Sequence, residues 1–192
     1  HGNPTSGGGC NMYRQPHSKK IGWNSNGSPS LGSPINTANS VTVPAGDTGA
    51  GALSQYKIVN RNSGKVLDVA NCSAADGTNI QQYSWLNNNC QRWTTQNTDS
   101  GYVIIVNVAT GKLLETAGCG TSNGANVQQY SWLKNNCQQW KLVTTTSPYV
   151  KIVNRNSGKV LDVASCSKSD GGNVQQWSAL GNTCQEWQLA TP

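Results

Sequence analysis

The chain has 192 residues, among them 21 Gly, seven Pro, seven Trp, six Tyr and no Phe, and only 11% are charged. That composition lacks the Ala, Glu, Lys and Leu of a helical protein and points to an all-β chain, while its apolar runs fall far short of the ~20 residues that span a bilayer, so no membrane insertion is expected. The net charge of +6 comes from 14 Lys and Arg against eight Asp and Glu, scattered without the basic stripe that reads nucleic acid, and nucleic acid is not an expected partner.

Residues 1–54 are rich in Gly, Ser, Asn, Thr and Pro, with loop or linker composition at 24–34 and 44–51 and one candidate strand at 40–43. This is too little apolar material for a separate core, so the segment reads as a loop-rich linker or the trimmed end of a neighbouring domain. No signal peptide or lipidation motif is present, as expected of a mature or trimmed chain. The opening His1-Gly2 resembles the mature start of lytic polysaccharide monooxygenases, which bind copper through the terminal amine and imidazole plus a second His. Here only His17 could be that second ligand, and the segment is several times shorter than that family's catalytic domain. No cofactor and no metal are therefore expected.

From residue 55 onward the chain repeats. Residues 57–70 read KIVNRNSGKVLDVA, residues 151–164 repeat every letter, and residues 104–117 read IIVNVATGKLLETA. Each step is 47 residues and no insertion breaks the register, giving copies at about 55–97, 102–144 and 149–191. Such units cannot bury an apolar face singly and must share a core. Within copy one, residues 56–60 are a short β-rich run, Asn62-Ser63-Gly64 a turn, and residues 65–70 a second strand. Alternation there sends Leu67 and Val69 to one face and Asp68 to the other. Asp76-Gly77 marks another turn, residues 79–83 a third strand, and a polar loop at 87–89 leads to a fourth strand ending near Trp93. Four strands in each of three copies predict a closed twelve-stranded β architecture, with helix limited to a turn or two.

Six of the seven cysteines fall at equivalent positions, 18 residues apart within each copy. Six cysteines allow fifteen pairings, and the repeat favours the symmetric set Cys72–Cys90, Cys119–Cys137 and Cys166–Cys184. Each loop closure is worth roughly 3 kcal/mol in the chain-entropy account. An 18-residue gap without a His pair fits no usual zinc spacing. The pattern implies an oxidising compartment, hence a secreted, extracellular protein. Cys10 has no counterpart in the repeats, and whether it is free or lost its partner with a missing domain is open.

Three LDV-type strands, DGxNxQQ-like segments and the closing motifs Gln91-Arg92-Trp93, Gln138-Gln139-Trp140 and Gln185-Glu186-Trp187 together resemble the ricin-B-type β-trefoil lectins, grouped in enzymes as family 13 carbohydrate-binding modules. The resemblance covers about residues 55–190. It implies a six-stranded barrel capped by three hairpins, pseudo-threefold symmetry, and up to one shallow sugar site per copy. Carried over by position, copy one would use Asp68, Gln81, Tyr83, Asn88 and Gln91. Copy three would use Asp162, Gln175, Trp177, Asn182 and Gln185. In copy two Gln128, Tyr130, Asn135 and Gln138 are in place, but Glu115 replaces the Asp, and its longer side chain is expected to intrude where the sugar ring belongs. A carboxylate suits this work because it accepts paired bonds from vicinal hydroxyls, and an aromatic ring covers the C–H face. The closing Trp93, Trp140 and Trp187 read as core, and their Gln partners as equally suited to tying down backbone.

Catalysis within the repeats is not expected. Glycoside hydrolysis needs two carboxylates roughly 5–9.5 Å apart, and Asp68, Glu115 and Asp162 belong to different copies, while Asp76 and Asp170 serve turns. His1 and His17 lie outside the repeats, which disfavours a Ser-His-Asp site. The expected function is a monomeric carbohydrate-binding module that targets a covalently linked glycan-degrading enzyme whose catalytic domain is not in this chain. The alternatives are part of a hydrolase or copper oxidase, or a free lectin or toxin subunit that binds cell-surface glycans. The sugar itself is not readable from the sequence.

Overall fold

A computed structural model describes residues 53–192 and two short strands before them, β1 (Gly22–Trp23) and β2 (Pro29–Ser30), which pair antiparallel. The expectation of loop throughout 24–34 is corrected at Pro29 and Ser30, because a two-residue ladder is too short to leave an alternation signal. The candidate strand at 40–43, His1, Cys10 and His17 lie outside the described residues. The chain divides into two units, His1–Thr48 and Gly49–Pro192.

The second unit holds twelve strands, four per copy. Copy one supplies β3 (Gln55–Asn60), β4 (Val66–Val69), β5 (Thr78–Tyr83) and β6 (Trp93–Asn97). Copy two supplies β7 (Val103–Asn107), β8 (Leu113–Thr116), β9 (Val127–Tyr130) and β10 (Trp140–Thr144), and copy three β11 (Val150–Asn154), β12 (Val160–Val163), β13 (Gly172–Trp177) and β14 (Trp187–Ala190). First and fourth strands form a closed ring in the order β3–β6–β7–β10–β11–β14 and back to β3. The second and third strands of each copy form hairpins that meet one another through β5–β9, β5–β13 and the Asn126–Gln175 bridge. This is a β-trefoil: a six-stranded barrel with a three-hairpin cap.

The fourth strand begins at Trp93 rather than ending there. The approach to it is a single 3₁₀ turn, Asn89–Gln91, which carries the disulfide cysteine. Each copy has two such turns, six in all, and no α-helix occurs among the described residues. Ile58, Leu67, Ile80 and Trp93 with their counterparts fill one common core. The tryptophans are fully buried, and their indole N–H groups donate to Leu67, Leu114 and Leu161 carbonyls at 2.9–3.0 Å. A large ring is thereby buried without leaving its polar atom unpaired.

The three expected disulfides are present, with Cα–Cα separations of 5.4, 5.1 and 5.2 Å. On the pseudo-threefold axis the side chains of Asn79, Asn126 and Asn173 form a closed ring. Each amide donates to the preceding copy's side-chain carbonyl oxygen at 2.8–3.0 Å. Buried Gln82, Gln129 and Gln176 reach across copies as well, donating to carbonyls of the neighbouring copy's turn, such as Ser167 and Ser169 for Gln82. A half-satisfied polar ring would be costly inside a cap, so the three copies must close together.

Candidate functional site

The hairpin register sets the site. Asp68 on β4 faces Gln81 on β5, and Asp162 on β12 faces Gln175 on β13. In both pairs the Gln amide donates to the carboxylate at 2.8 Å. Alternation alone would put Asp68 outward. Instead it is only 7% exposed and every residue of β4 is buried, because the disulfide turn and the loop before Trp93 close over the hairpin's second face. Burial pushes the Asp68 carboxyl above its ordinary range, against the opposing bonds from Gln81 and Gln91. Asp162 is raised for the same reason, opposed by Gln175 and Gln185.

Each of these carboxylates lies on the wall of a cleft. The copy-three cleft, about 390 Å³, is lined by Asp162, Gln175, Trp177, Leu180 and Asn182, with the Ser165-Cys166 turn closing one side. The copy-one cleft, about 240 Å³, is lined by the equivalents Asp68, Gln81, Tyr83, Leu86 and Asn88, closed by Asn71-Cys72. Both closing turns hold two consecutive non-glycine residues in left-handed conformation, with φ between 48° and 54°. Such backbone persists only where its surroundings over-determine it, and here the disulfide does so. Four of the five residues expected in copy one, and four of the five in copy three, thus face one cavity. Asn88 also caps its 3₁₀ turn, its Oδ1 accepting from Cys90 N at 3.1 Å.

The fifth residue behaves differently. Gln91, Gln138 and Gln185 have no exposed surface. Each donates to a carbonyl two residues before the loop leucine (Ser84, Ser131, Ser178) and accepts that leucine's N–H at 2.7–2.8 Å. They hold the loop rather than line the cleft. In copy two Glu115 is also buried, and both its oxygens are occupied, by Gln128 at 2.9 Å and Gln138 at 2.7 Å. It does not project outward as its length suggests, and meets the same pair of amides as the aspartates do.

Several contributing residues were not singled out by sequence. Leu86, Leu133 and Leu180 recur at the 47-residue spacing and are 54–63% exposed; an apolar residue recurring within a polar loop was the available signal. Each cleft is also braced by the preceding copy's turn. Asp170 of copy three accepts from Ser84 N and Oγ and pairs with Lys65 in copy one. Asp76 does the same for Ser131 and Lys112 in copy two, so both carry the turn role read from sequence, extended to the next copy. Lys65 and Lys112 hold these carboxyls below their ordinary range. In copy three the brace is the neutral Asn123, bonded to Ser178, with Gly124 close enough that a Cβ would lie 3.6 Å from the Trp177 ring. Among the described residues no three His, Cys, Asp or Glu side chains gather where they could hold a metal ion, and no helix is long and apolar enough to cross a membrane.

A family model described as "Ricin-type beta-trefoil lectin domain-like" matches residues 40–130 and 136–192. Among solved structures, ThreeFoil, a designed threefold-symmetric protein, is similar at 45% identity and TM-score 0.71, over 72% of this chain and 99% of that one. An exo-β-1,3-galactanase from Clostridium thermocellum is similar at 36% identity and TM-score 0.72, over 74% of this chain but 31% of that enzyme. The Rhizoctonia solani agglutinin, at 23% identity and TM-score 0.66 over 74% of this chain and 98% of that one, shares the fold. No curated protein matches the chain.

Proposed function

Because the chain belongs to the ricin-type β-trefoil lectin domain-like family, we propose that it binds carbohydrate in two equivalent clefts, those of copies one and three. The observation that carries this reading is the cavity in copies one and three that is lined by an Asp–Gln pair, an aromatic ring and an Asn. A pyranose presents vicinal hydroxyls at its edge and a C–H face beside it. The carboxylate oxygens of Asp68 and Asp162 accept from the hydroxyls, the Gln81 and Gln175 amides orient those carboxylates, and Tyr83 or Trp177 covers the C–H face. Gln91 and Gln185 position the loop and do not touch the ligand. Copy two, with Glu115 consumed by two amides, contributes bracing and no third site.

The wider role is delivery of a secreted glycan-degrading enzyme to its polymer. Three disulfides fit an oxidising compartment, and the similar galactanase is an enzyme of which this chain matches under a third. β-1,3-Galactan is therefore the first ligand to try. Shallow single sites of this kind bind at about 1 mM to 10 μM, or roughly −4 to −7 kcal/mol. Two sites on one polymer chain raise avidity by ~10²-fold.

The test is calorimetric titration of the chain with soluble β-1,3-galactan, xylan, arabinan and mannan and their monosaccharides. Binding to one polymer with a matching weaker monosaccharide supports the reading. Absence of heat with every polymer overturns it.

A further inference from the structure

The two clefts differ in size and in the sequence around their loop leucine. Where copy one has Tyr83, Trp85 and Asn87, copy three has Trp177, Ala179 and Gly181. Trp85 lies in sequence between the cleft-lining Tyr83 and Leu86 without itself lining the cleft, and the Lys57 ammonium sits over its ring, 5.2 Å from the centroid. Copy three has no ring at that position. Gly181 has a φ of +72°, and a Cβ there would meet nothing within 4 Å, so the space beyond Leu180 is open. The copy-three cavity is the larger of the two, at about 390 Å³ against about 240 Å³.

Leu180 borders that opening. It is the most exposed of the three loop leucines, yet its backbone is fixed, since its N–H donates to the fully buried Gln185 at 2.7 Å. An apolar side chain left in water gains little from folding. Held rigidly at the mouth of a cleft beside Trp177, it is a ready contact for the apolar face of a ligand that reaches past the first ring.

We propose that the copy-three cleft holds two consecutive sugar residues, the first against Asp162 and Trp177 and the second against Leu180, whereas the copy-one cleft holds one. This rests on the carbohydrate reading above. Copy three therefore selects a chain, and copy one an isolated or terminal residue.

The experiment is calorimetry with matched monosaccharide and disaccharide pairs: galactose and β-1,3-galactobiose, xylose and xylobiose, mannose and mannobiose, arabinose and arabinobiose. Asp68→Ala leaves the copy-three cleft as the working site, and Asp162→Ala the copy-one cleft. The Asp68→Ala chain is expected to gain ~10-fold in affinity from monosaccharide to disaccharide, the scale of one partly buried leucine; the Asp162→Ala chain gains little. Adding Leu180→Ala, or Ala179→Trp with Gly181→Asn, to the Asp68→Ala chain should lower that ratio to the copy-one value. In the unmodified protein, the disaccharide should shift the Leu180 methyl resonances beyond the monosaccharide's effect and should not do so at Leu86. Equal ratios in the two clefts, or a ratio insensitive to Leu180, overturn the two-residue cleft while leaving carbohydrate binding intact. Absence of heat and of methyl shifts with every pair overturns both.

Discussion

At the scale of single residues, the site rests on two aspartates that the fold holds at a cost. Burial raises the carboxyls of Asp68 and Asp162 above their ordinary range, so the folded state binds their protons more tightly than the unfolded chain does. The stabilisation from that excess proton binding is full below the unfolded pKa and is lost as pH rises through the raised folded value. Ionising either one works against the burial, and on the proposed reading the ionised form is the one that accepts from sugar hydroxyls. Asp68→Asn with Asp162→Asn should therefore remove binding while leaving the melting temperature at pH 7 equal or higher; a fall in melting temperature would contradict this trade. On acidification the wild type should lose affinity at a pH above that expected for an unperturbed Asp, a window that a pH series of titrations locates. A decline confined to the ordinary Asp range would contradict the burial account. Asp76 and Asp170 work the other way. Their lysine partners depress them, so what they contribute is present above the unfolded carboxylate range and is lost as pH falls through their lowered values.

At the scale of elements, a cleft is the product of a hairpin from one copy and a turn from the copy before it. Asp170 of the β12–β13 connection fixes Ser84, the residue after Tyr83, through bonds of 2.7 and 2.9 Å. Asn123 of the β8–β9 connection likewise fixes Ser178, the residue after Trp177. Asp170→Ala should weaken binding at the copy-one cleft several-fold and spare the copy-three cleft. Asn123→Ala should do the reverse. Titrations in the single-cleft backgrounds read this directly, and an equal loss at both clefts would mean that these residues act on the whole cap instead. Copy two thus braces the cleft of copy three.

At the scale of the whole molecule, closure is shared among all three copies. The barrel ring returns from β14 to β3, and the Asn79–Asn126–Asn173 ring has one member per copy. A chain ending at residue 144 would expose β3 and β10 as unpaired edges and break that amide ring. It should show no cooperative melt by circular dichroism; a cooperative melt would mean that two copies suffice. The 47-residue period made the architecture legible, because a repeat without insertions exposes equivalent positions directly, and Asp68, Gln81, Tyr83 and Asn88 came from the resemblance to ricin-B-type lectins carried onto that register. What lay beyond it depends on contacts between copies. The burial of Asp68 comes from a turn and a loop folding over its strand, the full burial of Gln91 from its carbonyl and N–H partners, and the bracing by Asp170 from a residue 86 positions away. The exposed leucines were visible as a pattern but carried no meaning until the cavities were in view.

The account stands or falls on two carboxylates acting in parallel. The most direct measurement is calorimetric titration of wild type, Asp68→Ala, Asp162→Ala, the double variant and Glu115→Ala against the polysaccharide that binds, with circular dichroism confirming each fold. The account predicts two sites in wild type, one in each single variant, none in the double variant, and two in Glu115→Ala. Affinity retained by the folded double variant, or a lost site in Glu115→Ala, would contradict it.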